Sequence, residues 1–146
     1  MEPLLKQEYD AIVAGAGPAG SITALVLADA GFDVLLLEKR DEIGIPVRCA
    51  EATGSRAELE RFVDVPDEWI TDTIDGARLI SPGGKTFEKS FPGVGVMLDR
   101  TRFDAGLAEA AAAKGAEVRT GVEVTGLLRD GERVTGVTVR NPGAPD

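Results

Sequence analysis

The six residues Gly15-Ala16-Gly17-Pro18-Ala19-Gly20 constrain the fold most, because they lie between a β-type apolar run, Tyr9 to Ala14, and a stretch with helical periodicity. In that setting each glycine has its own reason. The first permits a tight turn, the second lets a pyrophosphate approach bare backbone, and the third lets helix and strand pack closely. Pro18 is harmless at a first helical position, where its N–H would be unpaired anyway. Ile22, Leu25, Val26 and Ala30 then recur at helical spacing up to a stop at Gly31. Asp33 to Glu38 reads as a second buried strand, which completes a βαβ unit. Glu38 stands 18 residues beyond Gly20, where such a unit carries an acid for ribose hydroxyls. Amides at the helix N-terminus, at the positive end of the dipole, face the anion. The motif therefore predicts dinucleotide binding.

Composition narrows the field further. There is no histidine, so Ser-His-Asp hydrolysis, imidazole acid/base work and nearly all zinc catalysis are excluded for this chain. A single cysteine, Cys49, forms neither an internal disulfide nor a cysteine-rich metal site, which makes a cytoplasmic address the default and a metal centre unexpected. The net charge of −9 repels phosphate backbones, and no basic, aromatic stripe offsets it, so nucleic acid is not an expected partner. Ala11 to Ala28 lacks charge over 18 positions, yet Gly15, Gly17, Pro18 and Gly20 break its first half. Strand, turn and helix explain it better than a membrane span. Gly84-Lys85-Thr86 imitates the end of a nucleotide-triphosphate loop, but the glycine required five positions earlier is Leu79, and a hairpin turn is the better reading.

Residues 39–54 hold two glycines and one proline with no period, and so form a long connection of the kind that carries function. Ser55 and Glu58 make a capping-box pattern opening a short helix toward Phe62. A hairpin turning on Gly83 and Gly84 follows. Thr101 with Asp104 marks a second helix start, and the alanine-rich run to Lys114 is stopped by Gly115. AEVRT, VEVTGLL, an Asp130-Gly131 turn and RVTGVTV give a β-rich ending, and NPGAPD looks like a cut. The expected architecture is an α/β, Rossmann-like domain with an added antiparallel β hairpin or meander.

The glycine turn alone does not separate NAD from FAD, and Lys39 and Arg40 beside Glu38 read equally as NADP contacts or as solvated strand-end residues. YDAIVAGAGPAGS, LLEKRDEIGIPVRCAEATG, LDRTRFDAGLA and GAEVRTGVEVTG resemble, in order and spacing, the N-terminal part of the geranylgeranyl reductase family of FAD flavoproteins, which includes digeranylgeranylglycerophospholipid reductases. The discriminating part is Pro46-x-Arg48-Cys49-x-Glu51; the glycine turn and the element Arg100-x-x-Phe103-Asp104 are shared more widely.

The resemblance implies FAD as cofactor, with Gly15, Gly17, Ala19 and Gly20 on the pyrophosphate and Glu38 on the adenosine ribose. Cys49, Ala50 and Ala52 would lie at the flavin end, Cys49 being the one candidate for a role in catalysis. Arg100 would reach the pyrophosphate and ribityl region, and Val124 would meet adenine through its backbone. The family commonly has glycine where Ala50 and Ala52 stand. On residue type alone, other readings stay open: Cys49 as a small buried hydrophobe, Arg100 as a surface partner of Asp99 or Asp104, and Val124 as strand filler.

The implied activity is reduction of isoprenoid double bonds of a lipid or lipid precursor, fed by an external electron donor, NAD(P)H or ferredoxin. The rivals are a flavin-dependent monooxygenase or halogenase and a non-catalytic dinucleotide-binding module. No Gly-Asp dipeptide occurs in the chain, although the superfamily completes its FAD site with one. Residues 1–146 are therefore expected to be a partial FAD-binding domain, inactive alone. The Gly-Asp element, the substrate domain and any peripheral membrane contact would belong to a portion that is missing.

Overall fold

The computed structural model describes residues 6–49 and 51–140. In chain order the elements are β1 (Ala11–Ala14), α1 (Pro18–Asp29), β2 (Val34–Leu37), β3 (Ala52–Thr53), α2 (Arg56–Leu59), a 3₁₀ turn (Asp67–Trp69), β4 (Ile70–Ile80), β5 (Thr86–Leu98), α3 (Arg100–Ala113), β6 (Glu117–Arg119), β7 (Glu123–Asp130) and β8 (Arg133–Arg140). They divide into two compact units, Met1–Pro46 with Asp104–Asp146, and Val47–Phe103.

In the first unit, β1, β2 and β6 form a parallel sheet in the order β1-β2-β6. The sequence grouped β6 with the two strands after it, but β6 lies beside β2, and only β7 and β8 make a separate antiparallel pair. Every residue of β2 is buried, as expected for a central parallel strand. The uncharged run Ala11 to Ala28 is indeed strand, turn and helix. Helix α1 packs on β1 and β2 and buries Ser21, Ala24, Leu25 and Ala28, while Val26 is 53% exposed. The buried face is thus offset from the one the apolar spacing predicts. A Cβ on Gly20 would stand 1.9 Å from the Gly15 carbonyl oxygen, so helix and turn touch, and the face beside them takes mostly small residues. The N-terminal segment is held by the Tyr9 hydroxyl, which donates to Glu117 Oε2 at 2.8 Å, and Arg119 Nε donates to Glu117 Oε1 at 2.9 Å. Burial alone would raise the Glu117 carboxyl; these two hydrogen bonds, with the charges of Arg119 and Lys6, outweigh it and hold its pKa below the usual carboxylate value.

In the second unit β3, β5 and β4 form an antiparallel sheet in the order β3-β5-β4. The expected hairpin is present, closed by Ser81 N–H donating to the Lys85 carbonyl at 2.9 Å with Gly84 in the left-handed region, φ +78°. Register breaks between the pairs Ile74↔Gly95 and Gly76↔Ser90, where Asp75 Oδ1 accepts the Gly93 N–H at 2.7 Å. On the core side of this bulge Val96 and Leu98 are buried; toward the tip Leu79, Ile80 and Phe87 are exposed. Trp69 and Phe103 meet edge to face with centroids 5.4 Å apart. Helix α2 opens as predicted, Glu58 Oε2 accepting the Ser55 N–H at 2.8 Å.

Helix α3 starts earlier than its sequence signature. Asp99 is the capping residue: its Oδ1 accepts the Thr101 N–H at 3.1 Å and the Thr101 hydroxyl at 2.5 Å. With the helix beginning at Arg100, Thr101 and the buried Asp104 fall at its second and fifth positions and are not the cap and third residue of a starting pair. Capping suits the carboxylate just before the first turn, where the amides have no helical acceptor. Leu107 and Ala111 are fully buried. Residues 141–146, which hold the turn-rich tail, lie outside the described residues.

Candidate dinucleotide site

The glycine turn is built from the backbone outward. Gly15 adopts φ +101°, open to glycine and few others, and its N–H donates to the Leu37 carbonyl at 2.6 Å. The Ala16 N–H donates to Glu38 Oε2 at 3.0 Å, and the Ala16 carbonyl accepts the Ser21 hydroxyl at 3.2 Å. Ser21 is fully buried; sequence reasoning missed it, and its only signal was a hydroxyl directly after the third glycine. At Gly17, the residue capping α1, an added Cβ would meet no protein atom within 4 Å. Protein packing thus demands glycine at Gly20 but not at Gly17, whose bareness faces open space. Beyond the turn, the first-turn amides of Ala19 and Gly20 have no carbonyl acceptor inside the helix. Bare backbone, free amides and the positive helix end together suit a diphosphate.

Glu38 lies at the end of β2. Its Oε1 accepts the Arg40 N–H at 3.0 Å, and its own backbone is pinned by the Arg119 carbonyl at 2.8 Å and the Val122 N–H at 2.9 Å. Each carboxylate oxygen keeps a further lone pair, so hydroxyl donors can still be received. Ala14, Gly15, Leu37, Glu38, Lys39, Arg40 and residues 122–124 enclose a recess of about 310 Å³. That is the lower end of the range for small-molecule pockets. Val124 therefore shares a recess with Gly15 and Glu38. The connection before it was not singled out in the sequence; it is fixed by Gly121, φ +67°, whose N–H donates to the Arg40 carbonyl at 2.9 Å. The residues fit the adenosine and pyrophosphate portion of a dinucleotide.

Cys49, Ala52 and Arg100 belong to the second unit, and Ala50 lies outside the described residues. Cys49 is exposed among the described residues. Ala52 is exposed at the start of β3, opposite Met97. Between them Glu51 has φ +66°, uncommon outside glycine, and its carbonyl accepts the Leu98 N–H at 2.9 Å. Arg100 is half-buried at the first position of α3, while Asp99 is met by Arg102 at 3.3 Å.

The fold and turn define a nucleotide-binding α/β domain, and the chain belongs to the FAD binding domain family, which matches residues 8–144; its cofactor is FAD. It is 48% identical over 143 residues to a digeranylgeranylglycerophospholipid reductase of Methanocella arvoryzae, covering 95% of this chain and 36% of that protein. Among solved structures, a geranylgeranyl bacteriochlorophyll reductase-like protein of Thermoplasma acidophilum matches with TM-score 0.82 and 34% identity, over 93% of this chain and 36% of that one. A myxobacterial FAD-dependent chondrochloren halogenase matches with TM-score 0.68 and 26% identity, over 92% and 33% respectively. The resemblance to geranylgeranyl reductases drawn from the motifs is borne out. The chain spans about a third of the length of the relatives it matches.

Proposed function

We propose that this chain is the N-terminal, FAD-binding part of a reductase that saturates isoprenoid double bonds of a lipid or lipid precursor. The observation that carries the reading is 48% identity to a protein named as such a lipid reductase, against 26% to a halogenase of the same fold. In this account the amides of Gly17, Ala19 and Gly20 and the Gly15 turn hold the pyrophosphate, Glu38 receives the ribose hydroxyls, and the Val124 backbone meets adenine. Arg100 would reach the pyrophosphate and ribityl region, and Cys49, Ala50 and Ala52 would lie at the flavin end. When bound, reduced flavin would supply the hydride for alkene reduction, and a proton from the medium would balance it. The protein's share is to orient the two partners and exclude water. The Gly-Asp element, the isoprenoid-holding domain and the contact with the membrane surface belong to the remainder of a longer cytoplasmic protein, which receives electrons from NAD(P)H or ferredoxin.

The test uses the full natural protein that carries this chain. Its released cofactor should be FAD, and chemically reduced enzyme, without oxygen, should add two hydrogens per double bond to a digeranylgeranyl glycerophospholipid, read by mass spectrometry. Oxygenated or halogenated product with no anaerobic reduction would overturn the reading in favour of the oxygen-using class. Cofactor binding with neither product would leave a nucleotide-binding module.

A further inference from the structure

Resting on the reading of the glycine turn as the pyrophosphate site, we propose that Glu38 is a positioning residue for that turn as well as a partner of the ribose. Three successive peptide groups of the turn are fixed by the protein itself. The Gly15 N–H is held by Leu37, the Ala16 N–H by Glu38 Oε2, and the Ala16 carbonyl by the Ser21 hydroxyl. The last two matter together. In a trans peptide the carbonyl and the following N–H point in opposite directions, so holding the Ala16 carbonyl inward aims the Gly17 N–H outward. Ala16 is 1% exposed, so its N–H has little access to water and depends on the carboxylate. The carboxylate is itself fixed in orientation by Arg40 N–H on its other oxygen. Glu38 thereby ties the end of β2 to the turn.

A carboxylate beside a diphosphate site is at first sight unfavourable, because like charges repel. That gives the proposal a test by sign. If Glu38 touched only the ribose, replacing it would weaken a ligand with ribose hydroxyls and would leave unchanged, or tighten, one without them. If Glu38 positions the turn, both ligands weaken.

The experiment compares wild type and Glu38→Ala in the cofactor-stripped full protein, titrating ADP and 2′,3′-dideoxyadenosine diphosphate by calorimetry. The expected result is a loss of about tenfold for the dideoxy ligand, the scale of one lost hydrogen bond to a charged group. ADP should lose more. Glu38→Gln, whose single carbonyl oxygen can serve only one of the two amides, should fall between. Amide hydrogen exchange adds a readout that a general loss of stability would not reproduce: the Ala16 N–H should be protected in the ligand-free wild type and exchange selectively faster in the variant. Unchanged or tighter binding of the dideoxy ligand by Glu38→Ala would overturn the proposal, as would an unprotected Ala16 amide in the wild type, a measurement that stands even if the variant fails to fold. Wild type that binds neither nucleotide would overturn the site reading and the proposal with it.

Discussion

Substituting alanine at Gly20 and at Gly17 should separate folding from cofactor binding. At Gly20 the new methyl would lie 1.9 Å from the Gly15 carbonyl oxygen and 3.1 Å from its carbon, both rigid backbone. A comfortable carbon contact needs about 3.5 Å, so α1 would have to withdraw from the turn by more than about 1 Å. That loosens the packing of Ser21, Ala24, Leu25 and Ala28 and breaks the Ser21 bond to Ala16. Overpacking of this kind costs about 3 kcal/mol. At Gly17, whose φ of −73° suits any residue, the methyl meets no protein atom, and only the lost advantage of glycine over alanine at a helix cap remains, within about 1 kcal/mol. Cofactor-free full protein should therefore melt several degrees lower with Gly20→Ala and nearly unchanged with Gly17→Ala. Both should lose FAD affinity, Gly17→Ala by more than about tenfold through direct obstruction. Thermal melts of the stripped protein and flavin fluorescence titrations make the comparison. A Gly17→Ala protein as unstable as Gly20→Ala, or a Gly20→Ala protein with normal stability, would refute the account of the turn.

Leu36→Ala, on the fully buried central strand, should cost about 2–5 kcal/mol in urea denaturation. Asp99→Ala removes the cap of α3, and its effect should depend on pH. The Thr101 hydroxyl, then the Arg102 amide, hold the Asp99 pKa below its usual value, so the stabilisation is present above the unfolded carboxylate value and is lost as pH falls through the depressed one. The gap in Tm between wild type and variant should be full near neutrality and close as pH falls below about 4. Cys49 is exposed, so it should react with a thiol reagent in the stripped protein and be shielded on adding FAD; equal rates would remove it from the flavin end.

The parts legible in the sequence were those set by local physics. Glycine spacing, Pro18 and the acid Glu38 were sufficient to place β1, α1 and β2 because backbone conformation, an unpaired N–H and a strand end each select a residue type directly. What escaped was decided by neighbours distant in sequence. Nothing around Glu117 says that β6 pairs with β2, since parallel pairing has no local signature. Apolar spacing assigned Val26 to the core, but contact between turn and helix selected the face made mostly of small residues instead. Asp99 and Thr101 both had the chemistry of a cap, and only the geometry chose between them. Glu38 was recognised for its place after β2, while its bond to Ala16 required both segments to be folded.

The register break in the β4–β5 hairpin divides it into two separately aligned parts. Beyond it, rungs such as Arg78↔Glu88 and Leu79↔Phe87 are exposed, whereas Thr73↔Val96 and Thr53↔Val96 lie on the core side. Because Asp75 closes the bulge through Gly93 N–H, pairing on the core side does not depend on how many rungs follow. Whole rungs can be added to or removed from the tip without turning Val96 or Leu98 out of the core. Changes confined to the tip therefore leave the alignment of Thr53 and Thr73 with Val96 unchanged.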